Sequence, residues 1–146
     1  YRSRCKQATR ARRQIVDDRS ERNLIGVHPD LIRVCREIAT SFPHEIIVTE
    51  GLRTPERQSE LVKAGASQTL NSRHLTGHAV DLAVKVGGLV VWTWHIYADL
   101  GTCAKQVSQK LAIPIIWGGD WATFKDGPHF ELPRNRYFDN EKVVSV

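Results

Sequence analysis

Residues 78–92 read HAVDLAVKVGGLVVW, and this stretch decides the fold of the chain. The part up to Val86 is rich in valine and alternates in character, which is typical of a β-strand. Gly87-Gly88 is a two-residue hairpin signal, and the apolar run 89–92 supplies a returning strand. The stretch therefore predicts an antiparallel hairpin on which a sheet can be built.

The segments around this hairpin carry helix and strand patterns in turn. Pro29 begins a run of apolar residues at helical spacing, which Pro43 ends, and a second helix is expected from Thr54, as its N-cap, to Gly65. The other expected elements are a helix over 94–112 and short strands over 45–50, 115–117 and 129–132. This order predicts an α+β domain, with helices packed on a small, mostly antiparallel sheet.

Size and composition fit a single globular domain. The chain has 146 residues, of which 41% are hydrophobic and 25% are charged. No apolar run approaches the ~20 residues that span a bilayer, so we expect no stable membrane insertion, and we expect a monomer. The four tryptophans, Trp92, Trp94, Trp117 and Trp121, are expected mostly in the core, although Trp117 or Trp121 could form a cleft wall.

Two clusters of candidate metal ligands lie in or beside the predicted strands. His74 and Asp81 belong to SRHLTGHAVD at 72–81, and His129 belongs to DGPHFEL at 126–132. Two imidazoles and one carboxylate would give Zn²⁺ three ligands and leave its fourth position open, as in catalytic sites. His78 follows His74 by four residues, but in a segment running from loop into strand the two do not converge, so we expect His78 to be structural. Spacing alone leaves the metal site open, because an isolated histidine is usually a surface or core residue.

The same residues resemble a known family. The pattern Ser72-x-His74-x-x-Gly77-x-Ala79-x-Asp81, followed by Asp126-x-x-His129, is similar to the signature of VanY-like D-alanyl-D-alanine carboxypeptidase zinc peptidases. Within that group it is closest to phage endolysins that act as L-alanyl-D-glutamate endopeptidases. The resemblance also includes NLIGVHP (23–29), TEGLRT (49–54), RQ (57–58), GAS (65–67), NSRH (71–74) and WGGDW (117–121).

This resemblance covers roughly residues 20–132 and has direct implications for fold and site. It implies a Hedgehog/D-Ala-D-Ala peptidase-like fold, with Zn²⁺ as the cofactor and His74, Asp81 and His129 as its ligands. It also implies that Asp126 is the general base. Alternatively, Asp126 is only a turn residue, since Asp-Gly-Pro is good turn chemistry, and Asp120 or Glu131 takes the role.

Three further residues are candidates for contact with substrate. By resemblance Arg53 lines the cleft, where its guanidinium could stabilise the oxyanion or clamp a substrate carboxylate. The alternative for Arg53 is a surface ion pair with Glu50 or Glu56. Ser72 and Gln58 could hydrogen-bond substrate, or could equally serve local capping and loop roles.

The net charge of +5 bears on partners and on domain organisation. Residues 1–16 contain five arginines and one lysine but no acid, so we expect a basic helix or arm over 1–19 and a zinc peptidase catalytic domain over 20–146. Such a charge favours polyanions of any kind, including nucleic acid and an anionic cell envelope. Because no aromatic residues beyond Tyr1 interleave with the basic ones, we do not expect nucleic-acid binding.

The resemblance implies a peptidoglycan endopeptidase that cleaves the L-Ala–D-Glu bond of the stem peptide. Alternatives are a D,D-carboxypeptidase that releases terminal D-alanine and a non-catalytic zinc-binding module. No signal peptide is visible, so we expect synthesis in the host cytoplasm and action on bacterial peptidoglycan in the periplasm, after another lysis protein opens the membrane.

Overall fold

A computed structural model of the chain describes residues 17–139. Its four α-helices are α1 (Asp18–Asn23), α2 (Pro29–Ser41), α3 (Pro55–Lys63) and α4 (Trp94–Leu111). Its five strands are β1 (Glu45–Glu50), β2 (Ala79–Val86), β3 (Leu89–Val91), β4 (Ile116–Trp117) and β5 (His129–Glu131). The predicted α+β fold is confirmed. The ends of the expected elements lie within about two residues of the prediction, but helix α1 was not predicted. The predicted basic arm over 1–19 lies, up to residue 16, outside the described residues.

All strand pairs of the sheet are antiparallel, and β2 is the central strand. The order is β1-β2-β5-β4, while β3 pairs with the far end of β2 through the predicted hairpin. Asp81 on β2 lies opposite Glu50 of β1 on one side and opposite His129 of β5 on the other. The register therefore places three chemically active side chains side by side.

Helix α2 shows how the helices cover this sheet. His28 is its N-cap, accepting a hydrogen bond from the Asp30 amide at its Nδ1 atom, and Pro29 occupies the first turn. One face of the helix is fully buried and packs in the core, at roughly 1.5–3 kcal/mol for each large side chain; its residues are Leu31, Val34, Cys35, Ile38 and Ala39. Among residues 17–139, no helix has the length and apolar character needed to cross a bilayer.

Helix α1 protects the free edge of β1. The amide of Val48 donates to Ser20 Oγ at 2.9 Å, and Asn23 Nδ2 donates to the carbonyls of Val48 and Thr49 at 2.8 and 3.1 Å. Backbone groups of an edge strand that would otherwise face solvent are thus satisfied by side chains. This cover fixes the end of β1, from which Glu50, Gly51 and Arg53 reach the site.

Two of the four tryptophans lie outside the core in which they were predicted. Trp117 is buried as expected, but the core assignment of Trp92 and Trp94 is wrong, because these side chains are 67% and 49% exposed. They lie where the edge strand β3 ends and α4 begins. There Trp92 stacks on Tyr97 and Trp94 stacks on Trp117, so each covers a core aromatic ring from outside.

Two glycines with the same backbone conformation give a test of this packing. Gly77 ends the 3-10 helix Arg73–Thr76 at φ +77°, and a Cβ there would lie 2.2 Å from the carbonyl oxygen of Gly26. Gly65 has φ +74° but open space around it. We expect Gly65→Ala to lower the free energy of unfolding by about 1 kcal/mol, the cost of the left-handed conformation alone. We expect Gly77→Ala to lower the free energy of unfolding by several kcal/mol more than Gly65→Ala does, with urea unfolding of both variants measured under the same metal conditions. Equal losses in the two variants would contradict the clash.

Candidate metal centre

Three side chains from separate elements converge on one point. His74 lies on the 3-10 helix Arg73–Thr76, Asp81 on β2 and His129 at the start of β5. Asp81 Oδ1 is 3.3 Å from His74 Nε2 and 3.4 Å from His129 Nδ1. One donor atom from each residue lies within 4.8 Å of the others. The structure therefore brings together the three residues that the sequence singled out as a ligand set.

The spacing of these donor atoms fits a small divalent ion. Ligands about 2.0–2.1 Å from a tetrahedral metal are about 3.3 Å from one another, which agrees with both measured distances. Asp81 Oδ1 and His74 Nε2 are buried and form no well-aligned hydrogen bond with any of residues 17–139. Polar atoms buried in this way are costly unless they have a partner, and an ion between them would supply it.

The outer nitrogens of both histidines have fixed partners. His74 Nδ1 lies 2.8 Å from the Gly51 carbonyl oxygen, so it carries the proton and donates. His129 Nε2 lies 2.9 Å from Glu131 Oε1 and donates to that carboxylate. In the neutral form of both rings, the nitrogen facing the centre is thereby left as an acceptor, the form that binds a metal. Glu131, considered from the sequence only as a rival base, instead orients His129.

Arg53 is buried and holds the other side of Asp81. Its Nη2 lies 3.7 Å from Asp81 Oδ2, and its backbone amide donates to the His74 carbonyl at 2.9 Å. Each of its three side-chain nitrogens has a hydrogen-bond partner: Nε and Nη2 bond both oxygens of Glu50, and Nη1 bonds Gln58 Oε1 at 2.7 Å. The ion pair with Glu50 considered from the sequence is therefore present, although it is buried rather than on the surface.

The other two candidate substrate contacts have local partners in the structure. Gln58 is buried and bridges Arg53 to Ser67 Oγ and to the carbonyl of Thr69. Ser72 Oγ caps the 3-10 helix by accepting from the His74 amide at 3.2 Å. These contacts match the local roles that were the alternative for both residues.

Asp126 lies on the turn before β5, and its side chain lines the same cleft as the three donors. Its amide donates to Gly118 at 3.0 Å and its carbonyl accepts from the His129 amide at 3.3 Å, which fixes the turn. Burial, reinforced by the charge of Asp81, raises the pKa of the Asp126 carboxyl. A carboxylate with a raised pKa is a better proton acceptor near neutral pH.

The cleft beside these residues has a volume of about 520 Å³. Trp121 forms part of its wall, as was considered for one of the two tryptophans, and its ring lies 4.9 Å from that of His129. His78 is outside the group, fully buried, with Nδ1 2.7 Å from Thr76 Oγ1 and its ring stacked on His28. Sequence reasoning missed how Glu50 and Glu131 support the site, because neither side chain stands at a ligand spacing.

The fold and site together define a candidate metal-dependent hydrolase, with three donors in a cleft and a carboxylate beside them. The chain belongs to the phage L-alanyl-D-glutamate peptidase family, whose sequence profile matches residues 15–141.

Relatives and a solved structure agree with this assignment. An L-alanyl-D-glutamate peptidase of Listeria phage A118 is 38% identical over 93 residues, covering 64% of this chain but only 32% of that protein. One from Escherichia phage T5 is 28% identical over 122 residues, covering 81% of this chain and 88% of that protein. The crystal structure of the Serratia marcescens L-Ala D-Glu endopeptidase ChiX superposes with a TM-score of 0.78 at 49% identity, covering 82% of this chain and 90% of that one.

The geometry of His129 predicts how the stability of the metal-free protein depends on pH. Burial opposes its protonation, but Asp81 and Glu131 outweigh burial and raise the pKa of His129 to about 9. Because the folded pKa exceeds the unfolded value near 6.5, the stabilisation is complete below pH 6.5 and is lost as pH rises through about 9. We expect the free energy of unfolding in chelator to fall by roughly 3 kcal/mol across that range.

Urea unfolding at several pH values between 6 and 9.5 measures this loss. In the variant His129→Gln, which has no titrating ring, the decline attributable to this residue should disappear. An equal decline in both proteins would contradict the assignment.

Proposed function

We propose that this chain is a zinc-dependent peptidoglycan endopeptidase that hydrolyses the L-Ala–D-Glu bond of the stem peptide. The observation that carries the proposal is the convergence of His74, Asp81 and His129 in a cleft that Asp126 also lines. Membership of the L-alanyl-D-glutamate peptidase family and the names of the relatives support the choice of bond. The Bacillus subtilis protein named peptidoglycan L-alanyl-D-glutamate endopeptidase CwlK, 31% identical over 104 residues, supports the choice of polymer.

Zinc is the ion that this donor set suits best. Two imidazole nitrogens and one carboxylate oxygen are typical ligands of Zn²⁺, whereas Mg²⁺ and Ca²⁺ prefer shells made of oxygen alone. The hydrogen bonds from His74 to Gly51 and from His129 to Glu131 support this choice, since they prepare both rings to bind a metal. When bound, zinc would acidify a water molecule and polarise the scissile carbonyl.

Asp126 would move the proton in this reaction. It would accept a proton as the oxygen of water forms a bond to the alanyl carbonyl carbon. It would then donate that proton to the glutamate nitrogen as the C–N bond breaks, so that an alanine carboxylate and a glutamate amine are released. The raised pKa of the Asp126 carboxyl supports both steps, because the group must gain and lose a proton near neutral pH.

Arg53 would position Asp81 rather than bind the peptide directly. Glu50 and Gln58 occupy its guanidinium, and the guanidinium in turn lies against Asp81 Oδ2. We therefore assign it the task of holding the ligand carboxylate in place and of contributing positive charge beside the reacting carbonyl. Ser72 and Gln58 would likewise support the walls of the cleft.

The place of action follows from the same proposal. The proposed role is host lysis, with synthesis in the host cytoplasm and attack on the wall from the periplasm after membrane opening, and the phage origin of two named relatives supports it. The working form would be a monomer, since the three donors and the cleft all lie within one chain.

Metal removal and product analysis test the reaction. We expect a strong chelator to abolish the digestion of purified peptidoglycan and added Zn²⁺ to restore it, because the ion would activate the water and polarise the scissile carbonyl. Mass spectrometry of the digest should show stem peptides with a new N-terminal D-glutamate. Release of free D-alanine instead would favour a D,D-carboxypeptidase, and zinc binding without any cleavage would favour a non-catalytic module.

Asp126→Asn tests the proton-transfer role, with Asp120→Asn as the matched control. Asp120 pairs with Lys105 at 2.8 Å, its side chain is half exposed, and it is not among the residues that line the cleft. We expect Asp126→Asn to reduce kcat by about 10²–10⁴-fold while one zinc per chain is retained, and Asp120→Asn to remain near wild type. Full activity in Asp126→Asn, or loss confined to Asp120→Asn, would reject the assignment.

A further inference from the structure

A second charged cluster lies at the rim of the cleft. Arg73 and Arg134 both line the cleft and both pair with a single carboxylate, that of Asp139. The next acid, Glu131, is already hydrogen-bonded to His129. Two guanidinium groups thus share one carboxylate, and this part of the wall carries an excess of positive charge.

The cations of the cleft differ in their ability to meet a ligand. Arg53 is buried against Glu50, and the side chain of Arg73 is 2% exposed, with its donors directed to Asp139 and to the carbonyls of Leu132 and Tyr137. These two guanidinium groups are enclosed by the protein. Any anion that enters the cleft would have to find another partner.

Arg134 is the cleft-lining cation, among residues 17–139, that reaches solvent. Its side chain is 42% exposed, with Nη1 bonded to Asp139 Oδ2 at 2.6 Å and Nη2 bonded to the Asn71 carbonyl at 2.7 Å. A guanidinium has five N–H donors, so these two contacts leave three to offer. Asn71 is three residues before the ligand His74, so the anchored head group lies on the segment that forms the centre.

We propose that Arg134 binds the free α-carboxylate of the D-glutamate next to the scissile bond and thereby sets substrate specificity. This inference rests on the proposed function. The stem peptide continues through the γ-carboxyl of this glutamate, so its α-carboxylate remains free. That carboxylate is separated from the scissile nitrogen only by the α-carbon, so it lies within a few ångströms of the reacting carbonyl in any bound pose.

This contact would distinguish two chemical forms of cell wall. In some walls the α-carboxylate is amidated to D-isoglutamine, which keeps the shape of the residue but removes its charge. A charge-assisted, two-pronged bond from Arg134 would be lost with that charge. The enzyme should therefore prefer the D-glutamate form through KM, because the contact is made already in the bound substrate.

The test uses two synthetic stem tripeptides, identical except that one carries D-glutamate and the other D-isoglutamine. With wild-type zinc-loaded protein we expect the KM for the D-glutamate peptide to be about tenfold lower. Arg134→Gln should bring the two KM values together by raising the first. Arg136→Gln is the matched control, because Arg136 is an exposed arginine two residues along that does not line the cleft, and it should keep the wild-type ratio.

Asp139→Asn supplies an independent result of opposite sign. It removes the carboxylate that competes for Arg134, so the preference for the D-glutamate peptide should increase. This measurement still tests the proposal if thermal unfolding shows that Arg134→Gln is poorly folded. A preference that is unchanged in both variants, or equal losses on both peptides in Arg134→Gln, would overturn the role of Arg134. Failure of the wild-type protein to cleave either peptide would instead overturn the proposed function, and this inference with it.

Discussion

The structure of the site depends on one carboxylate. Asp81 lies on the central strand, with one oxygen between the ring nitrogens of His74 and His129 and the other facing the guanidinium of Arg53. The attraction of the two histidines outweighs the cost of burial and lowers the pKa of Asp81. Since β1 and β5 pair with the same strand, the register of the sheet determines the distance between the partners of this carboxylate.

Each group that contacts the centre is itself held by a second layer. The carbonyl of Gly51 fixes the ring of His74, and the carboxylate of Glu131 fixes that of His129. A Cβ at position 51 would collide with the carbonyl of Asn23, the residue whose side chain also covers the edge of β1. The cover of β1 by helix α1 and the orientation of His74 therefore depend on the same packing contacts. Packing of this kind is what holds metal donors in precise positions.

The cleft is polar, but most of its polar side chains are already hydrogen-bonded to other groups of the protein. Arg53, Gln58 and Arg73 are enclosed in hydrogen bonds that build the walls. Asp126, Arg134 and Trp121 remain on the surface that faces the cavity, and they offer a proton acceptor, a cation and an aromatic face. A buried donor that already has good partners gains little from a substrate, whereas the unpaired N–H groups of a half-exposed side chain have only water to give up.

Local information in the sequence determined most of the helices and strands. Periodicity, caps and hairpin glycines depend on neighbouring residues, so three of the four helices and the five strands could be inferred without coordinates, whereas helix α1 was not predicted. His74, Asp81 and His129 were singled out only by the resemblance to a known family. Only the tertiary structure decided which side chains face the cleft. Arg53 pairs with Glu50 and Gln58, and Trp92 and Trp94 stay outside the core, because each environment is set by packing between elements. Arg134 likewise bonds the carbonyl of Asn71, which lies 63 residues away in the chain, and no local sequence pattern encodes such a contact.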